Sequence, residues 1–143
     1  MSRILAKARG DEPLSGVFVR AANAKVVVVV EYDDEAHALL VRVLSRTYTV
    51  HATDGALAAA EMLGTLASVD LILVSAILRK TDGFTLVRSL RSFAALQRVP
   101  VIFMTPERDV RLLARAIGAG ARQCLTKPVR EDELLRRVHA CTA

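Results

Sequence analysis

Val69–Gly83 reads Val-Asp-Leu-Ile-Leu-Val-Ser-Ala-Ile-Leu-Arg-Lys-Thr-Asp-Gly and constrains the fold more than any other stretch of the chain. Its strand, Leu71–Val74, has no polar alternation. A strand of that kind is buried on both faces, in the middle of a parallel sheet covered by helices. The strand ends at Ser75, and the following loop turns at Asp82-Gly83. In an open α/β sheet the carboxyl ends of the strands are where ligands and chemistry gather. Ser75 therefore marks the position at which a site is expected.

The remaining chain repeats the pattern. Lys25–Glu31 is a second apolar strand between charged ends, and Thr47–His51 is rich in β-branched and aromatic residues. Val101–Met104, entered from Pro100, and Gln123–Thr126 supply the last two strands. Helices are expected between them. The first opens at Asp34, taken as its N-cap, with Ala36, Leu39, Leu40, Val43 and Leu44 at helical spacing. The others are expected at Ala56–Leu66, at Phe84–Phe93, from Pro106-Glu107 to about Ile117, and at Glu131–Ala140. Gly118 and Gly120 read as a helix stop, because no strand leads directly into them as a phosphate-binding loop requires. Five βα units in succession imply a doubly wound five-stranded parallel sheet of flavodoxin-like topology, strand order 2-1-3-4-5.

Composition narrows the function classes. With 143 residues, 52% hydrophobic and 24% charged, the chain suits one globular domain at 25–143 behind a tail or leader at 1–24. Within that leader only Val17-Phe18-Val19 has the character of a docking strand. Arg3, Lys7, Arg9, Arg20 and Lys25 against Asp11 and Glu12 give the first 25 residues +3 of the +5 net charge. The remaining 118 residues keep +2, too little to argue for nucleic acid on charge alone. Cys124 and Cys141 have no metal-ligand spacing and read as reduced thiols. The N-terminus lacks a secretory apolar core, and the valines at 26–30 are too few to span a bilayer, so a soluble cytoplasmic protein is expected.

Asp82-Gly83, Thr105 thirty residues after Ser75, and Lys127-Pro128 after the last strand carry a family resemblance. With the βα rhythm they resemble the receiver domain of two-component response regulators, over about residues 25–140. The resemblance implies the CheY-like fold and a role in phosphorelay signalling. It also implies a crevice in which two acids after the first strand and an acceptor aspartate hold Mg²⁺. Hard oxygen ligands suit that ion, which offsets the charge of the moving phosphoryl group.

The acceptor position is Ser75, and a serine hydroxyl is a weak nucleophile without an activating base. The acidic pair falls either on Glu31-Tyr32 or on Asp33-Asp34. In the family the next helix is apolar eight, nine, twelve and thirteen residues after the first acid. From Glu31 this gives Leu39, Leu40, Val43 and Leu44; from Asp33 it gives Val41, Arg42, Ser45 and Arg46. Glu31 is therefore the first acid and Tyr32 replaces the second. Glu31, Tyr32, Ser75, Thr105 and Lys127 form a degenerate phosphorylation crevice, with Glu31 expected to pair with Lys127. No catalysis, no cofactor and at most weak Mg²⁺ binding are expected there.

His37, His51 and His139 are assigned to surfaces or edges. Cys124, where many receivers carry a switching aromatic, is expected to be buried, and Arg79 takes the place of a loop proline. The resemblance implies a pseudo-receiver that signals through another protein. Its surface would be the fourth helix, last strand and fifth helix, bearing Arg108, Arg111, Arg115, Arg122, Arg130, Arg136 and Arg137, and a homodimer through the same face is one form of that partner. The alternatives are a phosphoacceptor or phosphate-binding receiver with a non-standard site, and a nucleic-acid binder using the basic tail and the arginine-rich face. With about 20 residues outside the receiver unit, no output domain is expected on this chain.

Overall fold

The structure is a computed structural model that describes residues 3–4, 16–19 and 24–143. In chain order its elements are β1 (Arg3–Ile4), β2 (Gly16–Val19), β3 (Val26–Val30), α1 (Asp34–Leu44), β4 (Thr49–Thr53), α2 (Ala56–Leu63) and β5 (Leu71–Ser75). They continue as α3 (Gly83–Leu90), a 3₁₀ turn (Ala94–Leu96), β6 (Val101–Thr105), α4 (Val110–Gly118), β7 (Gln123–Thr126) and α5 (Glu131–Thr142). Strands β4-β3-β5-β6-β7 are parallel and stand in the expected 2-1-3-4-5 order. Two strands from the leader enlarge this sheet: β2 runs antiparallel along β4, and β1 pairs outside β2. The docking strand expected at Val17–Val19 lies in β2; of the leader, residues 1–2, 5–15 and 20–23 fall outside the described residues.

Side chains alternate across the sheet, so one apolar strand feeds two cores. Val27, Val29, Leu73 and Met104 pack under α1 and α5. Val28, Val30, Val74 and Phe103 pack under α2, α3 and α4. At about 1.5–3 kcal/mol for each fully buried apolar side chain, this two-sided burial is what commits β3, β5 and β6 to the middle of the sheet. Phe103 meets Phe84 of α3 with ring centroids 4.7 Å apart.

Several boundaries differ from the sequence expectation for local reasons. Asp33, not Asp34, caps α1, its carboxylate accepting from the Ala36 N–H at 2.9 Å. Thr47 and Tyr48 donate to the Leu44 carbonyl and so still belong to the helix exit, which delays β4 to Thr49. Helix α2 stops at Leu63 because Gly64 is its C-cap. Helix α3 stops at Leu90; beyond it the Arg91 guanidinium donates to the carbonyls of Leu96 and Val99 and holds the 3₁₀ turn. Helix α4 starts at Val110, not at Pro106-Glu107, because Arg108 sits at φ 63°, which no right-handed helix accepts, and Asp109 is the cap. Gly120, at φ +83°, supplies the left-handed exit from α4. Among the described residues no helix is long and apolar enough to cross a membrane.

Candidate functional site

The parallel register puts Ser75 beside Met104 and Thr105 beside Thr126, so the carboxyl ends of β5, β6 and β7 finish at one level. Glu31 follows β3 at the same edge, its N–H donating to the Thr53 carbonyl at 3.1 Å. The Lys127 N–H donates to the Thr105 carbonyl at 2.8 Å, and the Lys127–Pro128 peptide is cis. These backbone bonds aim three side chains into one crevice. Glu31 is fully buried, and Ser75 and Thr105 are each 1% exposed.

Lys127 Nζ lies 2.5 Å from Glu31 Oε1 and donates to Ser75 Oγ at 3.2 Å. The ammonium meets Oε1 outside hydrogen-bonding directions, so that contact is Coulombic. The second carboxylate oxygen accepts from the Asp33 N–H at 3.2 Å. The buried negative charge is thus compensated by a lysine that is itself only 24% exposed. In such a pair the loss of one partner is far more costly than the pair is stabilising, because the other charge is left buried and alone. The structure brings Glu31, Ser75 and Lys127 into contact, with Thr105 at the same sheet edge. Asp33 is exposed and occupied as the helix cap, and Asp34 is exposed in the first turn.

Tyr32 is half-buried, with the Arg79 guanidinium 5.9 Å from its ring centroid. Behind the crevice Gly83 packs so closely that a Cβ there would lie 2.3 Å from the Ser75 carbonyl oxygen. An open groove of ≈ 1180 Å³ leads outward from Ser75 and Lys127 along α1, past Leu39, Val129 and Glu107.

His37 corrects an expectation. It is 1% exposed, not superficial, and its Nδ1 donates to the Glu31 carbonyl at 2.7 Å, since a carbonyl only accepts. The signal for it was present: His37 shares a helical phase with Leu40, Val41 and Leu44, all buried. Cys124 is half-buried where full burial was expected; desolvation raises its thiol pKa against an opposing pull from Arg137. Burial likewise raises Cys141, against Arg122. Neither thiol is poised as a thiolate.

The seven arginines do not act alike. Arg115 lays its guanidinium 4.5 Å from the Phe84 centroid. Arg137 donates to Gln123 Oε1 at 2.7 Å and lies 3.6 Å from Glu133. Arg130 reaches Asp132 at 3.4 Å, and Arg108 is 4.0 Å from Glu107. Arg111, Arg122 and Arg136 are exposed. Sequence reasoning missed the apolar residues among them: Val110 and Ile117 of α4 are 74% and 66% exposed, and Leu113 is 38% exposed. Their 110/113/117 spacing was legible as a stripe; that it faces outward was not. Among the described residues no group of three or more His, Cys, Asp or Glu is placed to hold a metal.

Comparison with known proteins agrees with this geometry. Residues 27–139 match the response regulator receiver domain family. The two-component response regulator ORR11 of Oryza sativa subsp. japonica is 29% identical over 131 residues, covering 85% of this chain and 89% of that protein. The two-component response regulator-like APRR5 of Arabidopsis thaliana is 34% identical over 110 residues, which cover 76% of this chain and 20% of that protein. Among solved structures, the signal receiver domain of an HD domain-containing protein from Pseudomonas fluorescens Pf-5 superposes with TM-score 0.75 and 26% identity, covering 87% of this chain and 90% of that one. The chemotaxis response regulator CheY4 of Vibrio cholerae shares the fold at TM-score 0.76 and 19% identity, over 83% of this chain and 99% of that one.

Proposed function

This chain belongs to the response regulator receiver domain family, and we propose that it is a pseudo-receiver: a signalling module that takes no phosphoryl group on aspartate and works by binding another protein. The observation that carries this reading is the Ser75–Lys127–Glu31 contact. The acceptor position holds a hydroxyl that accepts a hydrogen bond from an ammonium. Among the described residues no base stands free to activate it, because the neighbouring carboxylate is matched to the same lysine.

The donor set does not fit Mg²⁺. It comprises one carboxylate already paired with Lys127, a half-buried phenol and a serine hydroxyl. Mg²⁺ sheds water reluctantly and is held at such sites by carboxylates with near-octahedral geometry. No step of the function is routed through the ion. A phosphate-binding reading draws on Thr105 and Lys127, but the lysine's charge is already balanced by Glu31. The protein-binding surface is α4, β7 and α5, where exposed arginines and exposed apolar side chains stand together. Aromatic stacking positions of the kind that hold single-stranded nucleic acid are not part of that face.

Thermal melting with Mg²⁺ and beryllofluoride tests the reading. A phosphoryl mimic present at about 100 times its Kd stabilises a fold by roughly 2.7 kcal/mol. The expected result here is an unchanged melting temperature; stabilisation of that size would restore the standard receiver mechanism.

A further inference from the structure

The groove beside the crevice and the outward side of α4 are complementary in polarity and charge. Asp33, Glu35 and Glu107 line the groove together with the apolar side chains of Leu39, Ile77 and Val129. Of its two cations Lys127 is matched by Glu31, while Arg42, at 3.9 Å, shares Glu131 with Arg46 at 2.7 Å; of its acids, Glu107 has Arg108 at 4.0 Å. Asp33 and Glu35 have no lysine or arginine within ion-pair distance among the described residues, so the groove presents apolar surface beside two unpaired carboxylates. Helix α4 presents the converse, an apolar stripe of Val110, Leu113 and Ile117 with Arg111 beside it and no carboxylate within ion-pair distance of that arginine among the described residues. The helix packs against the sheet face opposite to that of α1, so a chain cannot lay its own α4 along its own α1.

We infer that α4 of one copy docks in the groove of a second copy, in a head-to-tail contact. This rests on reading the arginine-bearing face as a protein-binding surface, and it names one partner for that face. Burial of the 110/113/117 stripe drives the contact, and Arg111 against Glu35 and Glu107 sets its direction. One helix face is small beside the roughly 1,200–2,000 Å² of a stable interface, so the association is weak and reversible. Because donor and acceptor surfaces differ, each docked pair leaves one groove and one helix open, and the contact propagates unless capped.

Sedimentation velocity on the full chain, taken to roughly millimolar concentration, reads this directly. The wild type is expected to gain average mass with concentration. A helix variant, Arg111→Glu with Ile117→Glu, and a groove variant, Glu35→Lys with Glu107→Lys, should each associate at least about tenfold more weakly. All four positions are exposed, and a melt of each variant verifies folding; Arg111→Glu alone replaces the helix pair if that pair melts early. An equimolar mixture should form a capped dimer and grow no further, since the groove variant's intact α4 meets the helix variant's intact groove. A wild type that stays monomeric, a groove variant that self-associates like the wild type, or a mixture that stays monomeric overturns the proposal. A monomeric wild type whose α4 face still captures another protein, with that capture lost on Arg111→Glu, would sink the self-association alone. Capture that survives Arg111→Glu would instead unseat the reading of this face.

Discussion

At the crevice, Glu31 is fully buried and touches Lys127 at 2.5 Å. On α4, Arg111 stands exposed between outward-facing apolar side chains. Both regions hold charge beside apolar surface, but in the crevice Glu31, Ser75 and Lys127 engage one another. On α4 the apolar stripe has no cover among the described residues. The first arrangement resists change and the second invites a partner, because desolvation makes an orphaned charge costly inside and nearly free of consequence outside. Stability should therefore respond to the crevice, and binding to the helix.

The largest effect should come from Lys127→Ala, which leaves Glu31 buried without its counter-charge. A loss of about 3–5 kcal/mol is expected in urea unfolding, and Lys127→Met combined with Glu31→Gln should recover a large part of it. If Lys127→Ala costs under about 1 kcal/mol, the pair is as weak as a surface ion pair and the contrast fails.

Next comes Gly83→Ala. Its methyl would press on the Ser75 backbone oxygen at 2.3 Å, so a cost of about 1–3 kcal/mol is expected. Gly118→Ala is the control: nothing lies within 4 Å of a Cβ there, and the residue is the last of α4. It should be neutral or slightly stabilising in the same unfolding measurement, by up to roughly 1 kcal/mol.

Smallest on stability, and the sharpest within the face itself, is the difference between Arg115→Ala and Arg111→Ala. Arg115 covers the Phe84 ring, so its loss should cost about 0.5–1 kcal/mol. Arg111 should stay within about 0.5 kcal/mol of the wild type. Equal melting temperatures for the two variants would mean that the ring contact contributes nothing.

How much of this was legible in the sequence follows from what each residue must satisfy. Strands β3, β5 and β6 showed themselves because burial on both faces removes polar residues from a strand. Glu31 could be told from Asp33 because α1 must turn Leu40, Val43 and Leu44 inward, and helical phase then fixes where the preceding strand ends. His37 was missed although it shares the helical phase of Leu40, Val41 and Leu44, because residue type alone assigns an imidazole to the surface when the buried carbonyl that would satisfy it is not visible. The start of α4 was misplaced because Pro106-Glu107 looks like a first helical turn, while the left-handed Arg108 that prevents it leaves no compositional trace. Strands β1 and β2 pair along the sheet edge, and because backbone pairing imposes little pattern on side chains, only Val17-Phe18-Val19 showed through.

Mass spectrometry of the intact chain after incubation with acetyl phosphate and Mg²⁺ tests the central claim most directly. The wild type should carry no phosphoryl adduct, since Ser75 is a hydroxyl that accepts a hydrogen bond from Lys127. Ser75→Asp should label poorly, because Tyr32 offers a phenol in place of the second carboxylate. Ser75→Asp with Tyr32→Asp should label measurably better, using Glu31, Thr105 and Lys127 as they stand. Efficient labelling of the wild type at Ser75, or of Ser75→Asp alone, would contradict the account.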